Sequence, residues 1–309
     1  MRWRQRWRSL GHVHVADGEG PGHWTHASYP TPLRLPDGSV RLFFSPRDVR
    51  GRSSIWSLDV ELTQHGVRRL GRPRGPWLEP GPRGAFDDAG TSVGWVGAGP
   101  DGAVECLYLG WALGVSVPFR NAIGRARAAP GATRLVRESA APLLDRASED
   151  PLTLGYPWLV EAAGRRILWY GTHLSWGEGW MEMRHAIRRA IAEGPGEAWR
   201  RDATPALEPA GGEEWAVSRP CVLRDASGWH MWYCRRFAEY RLGYAWSADG
   251  LHWERRDDDI LFTTPEAQWE AGSRCYPAVF DHAGRRWMAY NGVGYGRSGF
   301  GLAVMDDGA

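Results

Sequence analysis

Apolar and polar residues alternate in short runs along most of the chain, most plainly in RLGYAWS at 241–247. A period of two over strand-length runs is the mark of half-buried β-strands. No long segment holds a 3.6-residue apolar period, so helix content is expected to be low. The runs fall into five copies of one plan: a small or polar lead, a Pro or Val, an apolar strand, a Gly-containing turn and an aromatic strand. The copies are HASYPTPLRLPDGSVRLFFSPRD, AGTSVGWVGAGPDGAVECLYLGW, LGYPWLVEAAGRRILWYGTH, VSRPCVLRDASGWHMWYCRR and RCYPAVFDHAGRRWMAYNG.

The residues just before the Pro or Val are Tyr29, Ser92, Tyr156, Arg219 and Tyr276. They recur roughly every 60 residues, longer than the common propeller repeats. Each turn (PDG, PDG, AAG, ASG, HAG) suits a hairpin, with Gly supplying positive φ. A third strand follows each copy: SIWSLDVEL, NAIGRARA, RHAIRRAIA, RLGYAWSADG and GFGLAVMDD. A fourth follows in the first four copies. The fifth runs out of chain, and the N-terminal RWRQRWRSL resembles the missing strand. The pattern predicts an all-β, five-bladed β-propeller whose N-terminal strand completes the last blade and removes an open sheet edge. Five aligned repeats disfavour the alternative, a decorated β-sandwich. The expected organisation is a single domain over 1–309, with blades near 20–80, 85–145, 150–209, 213–263 and 268–309 plus 1–15.

In an antiparallel meander the start of the first strand, the end of the second and the start of the third share one edge. Five such edges converge on one mouth of the central channel. Strand starts and ends place Tyr29, Tyr156, Ser218, Arg219, Arg274 and Tyr276 there, with Arg47, Trp111, His173, Arg235, Asn291, Asn121 and Glu182. Acids precede the first strand of several copies: Asp87 and Asp88, Glu149 and Asp150, Glu213 and Glu214, and Glu270. They are either loop residues around an aromatic plug or groups turned inward for general acid/base work. Asp88 is the first choice for the second role, followed by Asp150 and Glu182, with His173 as a further proton carrier. The rim arginines Arg47, Arg219, Arg235 and Arg274 offer planar forks for carboxylate or phosphate unless rim acids consume them.

Composition narrows the partners. Formal net charge is only +2, which gives no global field for nucleic acid. The chain has no lysine, and its only asparagines, Asn121 and Asn291, both map to the mouth. No segment has the length and apolarity of a signal peptide or membrane span, so the reading is a cytoplasmic protein without a membrane partner. Cys106, Cys221, Cys234 and Cys275 lack metal-ligand spacing and are expected to be reduced. No metal or cofactor is expected, and nothing bears on the oligomeric state.

The motifs SRPCVL, MWY, YRLGYAWSADGLHW, NAIGRA and YNGVGYGRSGFGLAV resemble the arabinanase/levansucrase/invertase-like five-bladed propellers, which include glycoside hydrolase families 32, 43, 62, 68 and 130. They resemble in particular bacterial glycosidase-like proteins of polysaccharide or specialised-metabolite gene clusters. The resemblance implies a sugar site in the channel. It also implies acids at the blade starts, where this chain carries Tyr29, Tyr156 and Arg219 instead. The function expected is therefore a carbohydrate-active enzyme acting on an anionic or activated sugar: a sugar acid, sugar phosphate or nucleotide sugar. The alternatives are a sugar-binding pseudoenzyme and a scaffold recruited for cyclisation or elimination.

Overall fold

The computed structural model describes residues 4–16, 24–63, 66–179, 182–194 and 198–306. Its strands follow the alternating runs. The first meander is β2 (Ser28–Arg34), β3 (Val40–Ser45) and β4 (Ile55–Thr63), with β5 (Gly66–Arg69) and β6 (Arg74–Leu78) both paired to β4. The second is β7 (Gly90–Ala98), β8 (Val104–Leu113), β9 (Phe119–Ala128) and β10 (Val136–Arg137). The third is β11 (Leu154–Ala162), β12 (Arg165–Ser175), β13 (Arg184–Ala192) and β14 (Arg200–Arg201). The fourth is β15 (Ala216–Asp225), β16 (Gly228–Arg236), β17 (Tyr240–Ser247) and β18 (Glu254–Arg255). The fifth is β20 (Cys275–His282), β21 (Arg285–Asn291) and β22 (Phe300–Met305).

The innermost strands touch in cyclic order, β2 to β7 to β11 to β15 to β20 and back to β2. That is the ring of a β-propeller. The N-terminal strand β1 (Gln5–His14) lies antiparallel against β22 and completes the fifth meander, as the sequence predicts. A further short strand, β19 (Ile260–Phe262), adds to the outer side of β1 in parallel. Trp7 anchors this closure and is fully buried. Its indole shares the Gln5 side-chain oxygen with the Trp232 indole, at 3.2 and 2.8 Å. Among the described residues the only helices are two single 3-10 turns, Asp257–Asp259 and Gln268–Glu270. No helix is long and apolar enough to cross a membrane.

Every innermost strand carries a bulge. In β2, β11, β15 and β20 two residues, the anchor and its proline, oppose one residue of the neighbouring strand. The anchors sit in the left-handed region: Tyr29 at φ 61°, Tyr156 at 56°, Arg219 at 52° and Tyr276 at 53°. A non-glycine residue rarely adopts such a φ, and a following proline favours extended backbone. Each costs on the order of 1–3 kcal/mol and turns its side chain toward the propeller axis. In β7 the extra residue is Gly94, one step later. A Cβ there would lie 2.5 Å from the Pro157 ring, so close approach of the third meander requires glycine.

Candidate functional site

The four positive-φ anchors meet on the axis. Ring centroids of Tyr29 and Tyr276 lie 4.6 Å apart, Tyr29 and Tyr156 5.7 Å, and Tyr156 and Tyr276 6.5 Å. Burial raises the Tyr156 and Tyr276 phenols well above their ordinary range, so both remain protonated. Arg219 lies under this cluster and is fully buried. Its guanidinium donates from Nη1 to the Gly94 carbonyl at 2.6 Å and from Nη2 to Thr31 Oγ at 2.8 Å. It also sits 5.7 Å over the Tyr29 ring. No carboxylate pairs with it among the described residues, and burial pulls its pKa below that of a free arginine. Arg219 therefore ties the first, second and fourth meanders across the axis. This departs from the expectation of a rim arginine open to a ligand, because the αL anchor aims its side chain into the core.

The acids in front of each innermost strand share a second pattern. Asp87 accepts from the Tyr108 hydroxyl at 3.1 Å and Arg137 Nε at 2.8 Å. Asp150 accepts from Tyr170 at 2.7 Å, Arg188 at 3.0 Å and Arg201 at 2.8 Å. Glu270 accepts from Tyr290 at 2.6 Å and Arg274 at 2.8 Å. In the fourth meander Glu214 takes Arg235 and Arg255, both at 2.7 Å, while Tyr233 bonds Asp257 at 2.7 Å. In the first, Phe44 stands where the others have tyrosine and packs edge-on against Trp24. All four acids are buried. These staples lock the leading loop of a meander to its second strand, and usually to an outer strand as well.

The staples reassign several expected site residues. Asp150, Arg235 and Arg274 spend their charges within them. Asp88 accepts from the Gly84 amide at 2.9 Å and faces the surface beside Arg50 and Arg52. Glu182 is exposed and accepts from the Gly179 amide of its own loop at 3.1 Å. Asn291 is fully buried and joins the fifth meander to the first, accepting from the Tyr29 amide and donating to the Ala27 and Gly299 carbonyls. Asn121 is buried near the start of β9, where its backbone is clasped by Thr153 Oγ at 2.5 and 2.9 Å.

The remaining residues lie at or near the sheet edge where the innermost strands begin. His173 and His185 are directly paired across β12 and β13, with rings stacked at 3.8 Å. Both are buried, and His173 Nδ1 and His185 Nε2 have no hydrogen-bond partner. Burial, then the Arg236 charge, lowers His173 to about 3. Burial, His173 and Arg236 together hold His185 well below its ordinary value. Both rings are thus neutral near pH 7. Ser218 Oγ is also buried without a partner. Arg236 lies over Tyr240 and Trp215 at 5.6 and 5.9 Å.

Across the mouth, Arg47 lies 5.9 Å over the Trp111 ring, and Trp111 donates to Ser53 Oγ at 2.9 Å. No carboxylate lies within ion-pair distance of Arg47 among the described residues. Its charge, after burial, lowers His26 to about 4. No group of three His, Cys, Asp or Glu side chains among the described residues could hold a metal. All four cysteines are free and buried. Two accept from backbone amides across meanders, Cys221 from Val279 and Cys234 from Tyr276.

Sequence reasoning missed His185, and it placed Arg236 among the strand ends without assigning it to the site. Both had a signal. On β16 the staple residues Tyr233 and Arg235 share one side, so Cys234 and Arg236 take the other by the period of two. His185 follows once His173 is placed, because the two oppose each other in register.

The chain is 40% identical over 301 residues to an uncharacterised protein of Mycobacterium tuberculosis, MT1551, covering 97% of this chain and 99% of that one. No protein-family model matches it. Among solved structures, one titled a glycoside hydrolase superposes with a TM-score of 0.72 at 15% identity, covering 96% of this chain and 90% of the other. Another belongs to work on mannoside phosphorylases and hydrolases of the GH130 family that target β-1,2 mannosidic linkages in Candida mannan. It superposes with a TM-score of 0.65 at 12% identity, covering 91% and 84%. At these identities the likeness shows the fold.

Proposed function

The chain belongs to the family of the mycobacterial protein MT1551, on a glycoside-hydrolase-like propeller, and from that premise we propose that its channel mouth binds an anionic sugar. The ligand class is a sugar acid, a sugar phosphate or a nucleotide sugar. The observation that carries this reading is Arg47, a guanidinium stacked on Trp111 with no carboxylate partner among the described residues. The fork meets the anion, and the indole face and the partly exposed Tyr156 ring meet the sugar. His173, buried and lowered to about 3, is a neutral ring near pH 7 and too weak a base to serve there as the proton carrier that the sequence suggests.

A second reading, binding without turnover, is favoured by the staples. Asp87, Asp150, Glu214 and Glu270 are all engaged, so the pair of free carboxylates that ordinary glycoside hydrolysis requires is not available from them.

Calorimetric titration with glucuronate, glucose 1-phosphate and UDP-glucose tests the proposal. A charge-assisted bond is worth about 1.5–3 kcal/mol, so Arg47→Met weakens the bound anion about 10–100-fold. Equal affinity in Arg47→Met and the wild type overturns the proposal. Product formation from the same ligands separates turnover from binding alone.

A further inference from the structure

On the face away from the mouth, a cleft of about 1030 Å³ opens between the fourth and fifth meanders. Its rim is made of the β15–β16 and β20–β21 turns, and its wall of the far end of β17. It shares no residue with the mouth. We propose that this cleft is a second carbohydrate site, one for a neutral sugar unit recognised through its hydroxyl groups.

The argument rests on the cleft's unspent polar atoms. Asp259 lines the cleft and is 5% exposed, yet its carboxylate has no hydrogen bond or ion pair among the described residues. Gln5 pairs with Ile260, the residue after Asp259, and is 1% exposed. Both side chains act on the Tyr244 phenol, which the cleft also exposes. The Asp259 carboxylate thus stands in the cleft as an acceptor without a protein partner among the described residues. A sugar hydroxyl that donates to this carboxylate makes a charge-assisted hydrogen bond.

Around them, His230 Nδ1 is 2.7 Å from the Tyr244 hydroxyl and Nε2 is 3.0 Å from Asp225. This fixes the phenol's orientation. Trp246 adds a half-buried aromatic wall, with Arg256 4.6 Å over its ring.

The charges select against an anion. Arg286 is held by Asp225 at 3.1 Å and Asp281 at 2.8 Å, and Arg256 by Glu254 at 2.6 Å. Three acids, Asp225, Asp259 and Asp281, balance three arginines on the lining. A cation is equally unsupported, since no three metal-ligating side chains converge among the described residues.

The test titrates the full chain with D-glucose, D-mannose, D-galactose and their β-linked disaccharides, read by saturation-transfer NMR and tryptophan fluorescence. At least one of these sugars is expected to bind. Its Kd is expected to rise at least tenfold in Asp259→Asn and in Trp246→Ala, and to stay unchanged in Arg47→Met. Should Asp259→Asn not fold, Trp246→Ala decides. No transfer from any sugar, meaning a water-filled cleft, overturns the proposal. So does binding that both cleft variants leave intact, or displacement of the sugar by inorganic phosphate. Failure here leaves the mouth proposal standing, because that one is read through Arg47 and anionic ligands.

Discussion

Replacing Asp150 with asparagine distinguishes a staple from a catalyst. In the fold Asp150 is fully buried and accepts from Tyr170, Arg188 and Arg201. The two arginine side chains are themselves only 6% and 12% exposed. Asparagine keeps the shape but removes the charge, leaving two largely buried guanidinium groups without an anion. Breaking a buried pair in this way costs about 3–5 kcal/mol. For 309 residues the unfolding entropy is about 0.65 kcal/mol/K, from ~2.1 cal/mol/K per residue. The expected fall in Tm is therefore about 5–8 °C. Tyr170→Phe removes one hydroxyl donor to a charged group and costs about 1.5–3 kcal/mol, a fall of about 2–5 °C. Because the two residues share one network, the double variant falls by less than the sum. Differential scanning calorimetry on the four proteins reads all of this. An Asp150→Asn protein that melts with the wild type but loses turnover would refute the staple and restore the acid to catalysis.

Removing residues 1–10 strips the strand that closes the fifth meander, along with buried Trp7; a large aromatic alone is worth about 3–5 kcal/mol, and an unchanged melting temperature of the truncated chain would contradict the closure. His173 sits at about 3 in the fold against 6.5 unfolded, so the unfolded chain takes up its proton first as pH falls. Stability is thus unaffected above about pH 6.5 and declines between there and about pH 3. Urea midpoints at pH 7.5 and 5 should differ in the wild type and differ less in a His173→Gln/His185→Gln variant, in which His26 keeps part of the dependence; equal pH dependence in both counts against a neutral buried pair. Trp111→Ala removes the face on which Arg47 rests and is expected to weaken the glucose 1-phosphate complex about tenfold by calorimetry, the size of an aromatic platform with a cation above it.

The repeat made the fold legible before any coordinates. Alternation marks the strands, Gly marks the hairpins, and the missing fourth strand of the last copy points to the N-terminus. Less legible was β19, whose three residues carry too little pattern to assign. The edge of the sheet that holds the mouth was readable too, since strand direction alone fixes it. Which side chains face that mouth was not. The period of two separates Arg235 from Arg236 on β16, but the starting phase comes from the staple between Tyr233 and Asp257, a contact across 24 residues. The same holds for Asp87 and Asp88. Adjacent acids look alike in sequence, and only the reach of Tyr108 and Arg137 draws Asp87 inward and leaves Asp88 to its loop.

The anchors show the deeper reason. A tyrosine or arginine before proline predicts extended backbone, yet in four meanders this residue is held at positive φ inside a bulge. The strain is outweighed collectively. The proline occupies the second place of the bulge, and the four side chains pack against one another on the axis. Replacing an acid at such a position with tyrosine or arginine does more than delete a catalyst. It fills the axis with aromatic surface and a guanidinium bonded to two other meanders. A carboxylate restored at a single anchor, as in Arg219→Glu, would then be buried without a cation and would lose the bonds to Gly94 and Thr31. The departure from the acid-bearing pattern is therefore a property of the whole ring, because each anchor is packed against the others.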